Sequence, residues 1–199
     1  MKKYRKFRPV EEQPKKKSKK TLYTVIIAGI MILSVIGFTA TQSSSQTVKY
    51  GSYTFKLEGQ KWTAKINNQK FSFYYLPSEL SYINSTNIYN LGYIKSVYLT
   101  FNPNQKYLQV IDLIRFELAE NMFNLEIYPV QAVILNNSLY NLPIITCLNA
   151  TQFVPVIEFR ESEYTEIINQ NNCIILNSAS ESDFIKLKDL LLYKILGVI

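Results

Sequence analysis

Residues 52–76, SYTFKLEGQKWTAKINNQKFSFYYL, alternate apolar and polar side chains in three short runs. Tyr53, Phe55 and Leu57 share one face of the first run, Trp62, Ala64 and Ile66 one face of the second, and Phe71, Phe73 and Tyr75 one face of the third. A period of two is that of a half-buried strand. Gly59-Gln60 and Asn67-Asn68 fall between the runs, where residues tolerant of two-residue hairpin turns belong. The stretch predicts a three-stranded antiparallel meander. Its aromatic face reads as the side of the sheet turned to the core, in preference to an exposed platform for a glycan or peptide.

Toward the C-terminus, past a loop containing Pro77 and Gly92, the pattern changes. IKSVYLTF (94–101) is rich in β-branched and aromatic residues and predicts a strand. Asn102 then stands as N-cap of a helix, with Pro103 at its first position and Gln105 able to reach back. Leu108, Ile111, Ile114, Leu118 and Met122 recur at spacings of three and four, so one face of that helix packs on a sheet. VQAVIL (130–135), LPIITCL (142–148), VPVIEF (154–159) and CIIL (173–176) are further predicted strands, with a short helix around Tyr164 to Ile168. A last helix is expected from Ser180 or Ser182 to Leu196, closed by Gly197. The fold class that follows is α+β or mixed α/β, a meander followed by a mixed sheet with packed helices.

Toward the N-terminus, no charged side chain occurs between Lys20 and Lys49, and Leu22 to Ala40 are nearly all apolar or small. About 20 helical residues cover the ~30 Å hydrocarbon layer of a bilayer. The run has no polar face, as Val25, Ile26, Ile27, Ile30, Ile32, Leu33, Val35, Ile36 and Phe38 point all around. A cleaved signal peptide would want small residues one and three positions before the cut. Phe38 spoils a cut after Ala40, and Thr39 with Thr41 makes a poor one. A pilin-type leader would want a glycine at the junction, which here reads KKKSKKT. The expected organisation is a basic cytoplasmic tail (1–20), a transmembrane helix (21–41), a polar stalk (42–48) and an extracytoplasmic α/β domain (49–199).

Ten Lys and Arg side chains against Glu11 and Glu12 lie in the first 21 residues, so the chain's net charge of +7 belongs to the tail. Cations clustered beside an apolar span stay cytoplasmic, which sends the remainder outside. Attraction to anionic inner-leaflet lipid accounts for the tail better than nucleic acid does. Its only aromatics are Tyr4 and Phe7, and Pro9 and Pro14 interrupt it. Lys186, Lys188, Asp189 and Lys194 exclude a second span in the last helix.

The chain has two cysteines, Cys147 and Cys173, and no histidine. Serine–histidine triads, cysteine–histidine dyads and histidine-held zinc or haem are thereby excluded. Six glycines, none in a phosphate-cradling spacing, give no nucleotide fingerprint. No cofactor, metal or catalytic residue is expected. Outside the cytoplasm the two cysteines read as a disulfide worth about 3–4 kcal/mol, with two buried thiols or one reactive thiol as alternatives. The chemistry left open is that of carboxylates: Asp112, Glu117 and Glu120 on the long helix, and Glu158, Glu161, Glu163 and Glu166 around the strand from Val154. A pair of these could serve as acid and base on a sugar. Acids three apart on a helix more often form a solvated face. Sequons at Asn84, Asn136 and Asn149 are candidate glycosylation sites, and three is near what the Asn, Ser and Thr content produces by chance.

YYLPSEL (74–80), ITCLNAT (145–151), NCIIL (172–176) and the terminal DLLLYKILGVI resemble stretches of small membrane-anchored archaeal proteins with no assigned activity. The resemblance implies the pairing of Cys147 with Cys173 and an archaeal envelope setting, and it brings no catalytic residues. The functional expectation is a single-pass envelope protein, located in the cell membrane with its N-terminus cytoplasmic. Its outer domain binds an unknown protein or glycan partner. The alternatives are an anchored carboxylate hydrolase, for instance on glycans, and an accessory subunit of a membrane assembly. A close-packing motif for the last is absent, because Gly29 and Gly37 are eight apart.

Overall fold

The computed structural model describes residues 19–41, 46–88 and 94–199. The chain divides into two units, Met1–Ser44 and Ser45–Ile199. In the first, α1 runs from Lys19 to Thr41. Among the described residues no helix is long and apolar enough to cross a membrane. Side chains of α1 are described only as far as Ile36, so Gly37 to Thr41, the last part of the apolar run, lie outside them. The described part of α1 therefore does not by itself show the span expected over 21–41. The basic tail before Ser18 and most of the expected stalk also lie outside them.

The second unit opens with the meander, which has four strands, not three. These are β1 (Thr47–Tyr50), β2 (Tyr53–Glu58), β3 (Lys61–Ile66) and β4 (Gln69–Phe73), paired in chain order. The extra strand absorbs Thr47 and Val48, which the sequence reading had placed in the stalk. The turns are where the sequence puts them. Asn67 and Asn68 take φ of 50° and 67°, joining Ile66 to its partner Gln69, and such left-handed angles match the twist of the strands they join.

The rest builds a six-stranded sheet in the order β5-β9-β10-β8-β6-β7. Its strands are β5 (Asn84–Ser85), β6 (Ser96–Phe101), β7 (Tyr128–Gln131), β8 (Val156–Glu161), β9 (Glu166–Gln170) and β10 (Cys173–Ser178). β7, β6, β8 and β10 run parallel, and β9 is antiparallel to β10. Two helices, α2 (Leu108–Asn124) and α3 (Glu181–Ile195), complete the unit. Every residue from Leu187 to Tyr193 is buried. Seven consecutive residues cover all sides of a helix, so this part of α3 is enclosed all round. One side meets β9 and β10. On the other, Tyr193 stacks on Phe73 at 4.0 Å and meets Phe55 edge-on at 5.9 Å. The helices thus fill the space between the meander and the large sheet.

Three further expectations are corrected. The stretch 164–168 is not helical, because Glu166–Gln170 forms β9, whose β-branched Ile167 and Ile168 pair with β10. LPIITCL is not a strand: it makes one bridge, Val133 to Ile144, and Cys147 to Asn149 form a 3-10 turn capped by Thr146. Cys147 is therefore not at a strand end, whereas Cys173 opens β10. Asn102 does not cap α2. Its Oδ1 accepts from Asn104 N at 2.9 Å in a local turn, and the helix begins at Leu108. Residues 102–107 are instead laced to β8: Gln105 Nε2 donates to Phe159 O at 3.3 Å, Glu161 N donates to Gln105 Oε1 at 3.1 Å and Lys106 N to Glu161 Oε2 at 3.1 Å. Those bonds hold the segment against the neighbouring strand and keep it from coiling.

Candidate functional site

The two faces of the large sheet are finished differently. Ile157, Phe159, Ile174 and Leu176 belong to the core that contains the helices, while Val156, Cys173 and Ile175 form a second cluster on the opposite face. The segment leading to β8 covers that second cluster with Ile145, Cys147 and Ala150. It is held by Thr100 Oγ1 donating to Ile145 O at 2.7 Å, by Ile145 N donating to Val133 O at 2.8 Å, and by a disulfide between Cys147 and Cys173. The bridge expected from the two cysteines is present.

Beside the bridge stands Glu158, on the central strand β8 and 5% exposed. Oε1 accepts from Arg160 Nε at 2.8 Å and from the same guanidinium at 2.7 Å through a terminal nitrogen. Oε2 lies 3.1 Å from Cys147 Sγ. An oxidised sulfur has no proton to donate, so this is a contact and not a hydrogen bond. Glu158, Arg160 and Glu161 line a cavity of about 460 Å³ with Asn102, Asn104 and Gln105. It opens beyond the carboxyl ends of the parallel strands β6 and β8. From there α2 carries β6 out to β7 on one side, while β8 leads to β9 and β10 on the other. Parallel sheets commonly place ligands at such a change of direction.

The remaining expected acids do not converge there. Asp112 pairs with Arg115 at 2.8 Å and accepts from Tyr140 Oη at 2.7 Å. Glu166 accepts from Asn177 Nδ2 at 3.2 Å, and Glu120 and Glu163 are exposed. Asn84, Asn136 and Asn149 are all exposed. Asn149 accepts from Thr146 N through Oδ1 at 2.9 Å, which leaves Nδ2, the atom a glycan would take.

Glu117 departs from the solvated face expected of it. It sits in a charged junction between α2, α3 and the meander, together with four residues the sequence reading did not assign to a site: Lys61, Tyr74, Lys188 and Asp189. Glu117 Oε1 receives Lys61 Nζ and Tyr74 Oη at 2.8 Å each, and Oε2 faces Lys188 Nζ at 3.2 Å. Lys188 Nζ also lies 2.6 Å from Asp189 Oδ1, out of line for a hydrogen bond, so charge alone holds that contact. Asp189 Oδ2 accepts from Tyr74 N at 2.7 Å and Tyr75 N at 3.0 Å. The signal was present in the run LKDLLLYKIL, where one Lys-Asp pair interrupts leucines too closely spaced to leave a wet face.

Burial pushes the Glu117 carboxyl up, but hydrogen bonds from Lys61 and Tyr74 and the charge of Lys188 outweigh it and hold the group below its ordinary value. Burial raises Asp189 against the pull of Lys188 and the two backbone N–H groups. A carboxyl depressed by folding contributes stability above its ordinary value of 4.5, and that contribution is lost as pH falls through the folded value. A carboxyl raised by burial works the other way, so acid relieves part of the cost of ionised Asp189. Glu117→Gln removes the first contribution and is expected to flatten the decline in stability between neutral pH and about pH 3. Urea midpoints across that range test it, and a decline as steep as in the unaltered protein would contradict the assignment.

None of these groups forms a nucleophile–base pair. The charged junction ties the meander to the two helices, and the cavity beside Arg160 is one of several polar-lined hollows of the domain. In comparisons with known proteins, no family model, no curated protein and no solved structure matches this chain.

Proposed function

We propose that the chain is a single-pass, membrane-anchored protein of the cell envelope, and that the Ser45–Ile199 unit is a binding module held outside the cytoplasm. The observation that carries the reading is α1. Leu22, Tyr23, Val25, Ile26, Ile27, Ile30, Met31, Ile32, Leu33, Val35 and Ile36 all lie exposed along it. So much apolar surface on one helix calls for a lipid surround. The uncharged sequence continues past Ile36 as far as Val48, and the cationic tail sets the orientation. The disulfide supports an oxidising location for the domain. Exposed Asn84, Asn136 and Asn149 are then available as glycan acceptors.

Binding is preferred to hydrolysis for a geometric reason. A glycoside hydrolase needs two acids facing one bond. Glu158 is neutralised by Arg160, and Glu161 accepts a backbone N–H from Lys106. The partner, protein or glycan, would approach the cavity lined by Arg160, Asn104 and Glu161. An accessory role in a membrane assembly remains the third reading. Fractionation tests the anchor: the full chain is expected to stay with membranes in alkaline carbonate and to leave them in detergent. Protease added to intact cells is expected to remove the Ser45–Ile199 unit while sparing the tail. Recovery of the intact chain in the soluble fraction, or protection of the domain, would overturn the proposal. Recurrent co-purification of one partner with the detergent-extracted protein, lost in Arg160→Ala, would identify the binding face.

A further inference from the structure

The face of the large sheet that lacks helices brings three metal-ligating groups to one point. A sulfur of Cys147, a sulfur of Cys173 and a carboxylate oxygen of Glu158 all lie within 4.8 Å of one another. We propose that the disulfide masks a divalent-cation site. When the bridge is reduced, Cys147, Cys173 and Glu158 take a zinc ion, with water as the fourth ligand. The inference does not rest on the membrane reading and would survive its failure.

The donor set is the first reason. Two thiolates and one carboxylate form a tetrahedral site with one open position, a set that suits zinc better than calcium or magnesium. The second is positioning. Cys173 and Glu158 stand on hydrogen-bonded parallel strands, with Cys173 paired to Val156, two residues before Glu158. The Cα atoms of the two cysteines are 5.3 Å apart, a separation at which both sulfurs reach one ion without moving the backbone far. Reduction loosens the covering segment without releasing it, because Thr100 still holds Ile145 O and Val133 still pairs with Ile145 and Pro143.

Shelter and charge complete the argument. Cys173 is 1% exposed, whereas half-buried Cys147 leaves a way in. Arg160 binds Glu158 through Oε1 and leaves Oε2 turned to the sulfur, an outer contact that orients a ligand oxygen. Two thiolates and a carboxylate against one guanidinium and a divalent ion make the filled site neutral. An ion pair left unbalanced in such a buried place would be costly.

The chemistry balances. A dithiol reductant gives two electrons and two protons to the bridge, becoming a disulfide itself, while Cys147 and Cys173 become thiols. Zinc then displaces both thiol protons to solvent and changes no oxidation state.

The test uses the full chain in detergent, reduced with a water-soluble phosphine, freed of reductant and metal, and titrated with zinc chloride beside the oxidised protein. One zinc per chain is expected in the reduced protein and none in the oxidised. Cobalt chloride in place of zinc is expected to give thiolate-to-metal charge-transfer absorption and the visible bands of a tetrahedral ion. Glu158→Gln should weaken zinc binding by at least about 10-fold, and Arg160→Ala by about 10-fold through the orientation of Glu158. If reduced protein, folded or not by circular dichroism, retains no more zinc than oxidised protein, the site does not exist. Binding without thiolate absorption, or undiminished in a folded Glu158→Gln protein, would equally overturn it. The contrast between oxidised and reduced forms of the unaltered chain needs no variant to fold.

Discussion

Lys188→Ala is expected to destabilise the Ser45–Ile199 unit by about 3–5 kcal/mol, the range for removing one partner of a buried ion pair. Lys188 is 1% exposed, and its ammonium faces Asp189 at 2.6 Å, Glu117 at 3.2 Å and the ring of Tyr74 at 5.0 Å. Alanine leaves Asp189, which is 0% exposed, as an isolated charge between layers. Asp189 cannot escape to water, because its other oxygen is tied to the N–H groups of Tyr74 and Tyr75. Lys61 provides the contrast. Its side chain is 36% exposed, so Lys61→Ala should cost less than about 1 kcal/mol although it contacts the same Glu117.

A double variant separates charge from packing. Lys188→Ala with Asp189→Asn removes the orphaned charge, and the amide oxygen can still accept from Tyr74 and Tyr75. The pair is therefore expected to be more stable than Lys188→Ala alone. Urea denaturation of all four proteins measures this from midpoints at unchanged slope. Equal losses for Lys188→Ala and Lys61→Ala would show that the junction does not hold the layers by charge.

Cys147→Ser with Cys173→Ser is expected to cost about 3.5 kcal/mol, from the entropy that a closed loop of this length removes from the unfolded chain. The bridged residues are 26 apart in sequence. The native side contributes a further effect at a definite place: the bridge ties the covering segment over Val156 and Ile175 on the face that lacks helices. Loss of the bridge should therefore loosen that face first, and hydrogen exchange at Ile145 and Ala150 is expected to rise before exchange in α3 does. Uniform loosening, or a stability change under about 1 kcal/mol, would mean that Thr100 and the Val133 bridge suffice without it.

Much of the fold was legible locally. Asn67-Asn68 turned the meander because a residue pair that accepts positive φ is required between twisted strands, whatever surrounds them. Ser180 as N-cap of α3 and Gly197 at φ of 69° beyond its end are equally local devices. The same signal was overlooked once. Asn171 and Asn172 take φ of 49° and 66° and join Gln170 to its partner Cys173. They repeat the turn at 67–68, and reading them that way would have made Glu166–Gln170 a strand at once.

The candidate site was less legible, for reasons outside any one segment. Glu158 and the two cysteines were singled out by residue type, but Arg160 was not, since only the shared face of β8 pairs them. Gln105 looked like a helix cap because nothing in the sequence near it announces that the end of β8 lies alongside. Asn102 and Pro103 are good helix starters by preference alone, and cross-strand bonds to Phe159 and Glu161 outweighed that preference.

The amino-acid sequence by itself determined most of the segments that pleat or coil, where most chain reversals fall, and that no histidine chemistry is possible, because those follow from side-chain period, backbone sterics and composition. The tertiary structure alone decided that Leu187 to Tyr193 of α3 lie enclosed, that Lys188 and Asp189 face each other away from water, and that Glu158 meets a disulfide. Each of those depends on layers contributed by distant parts of the chain. Burial and charge pairing are properties of that assembly, and no spacing along one strand or helix contains them.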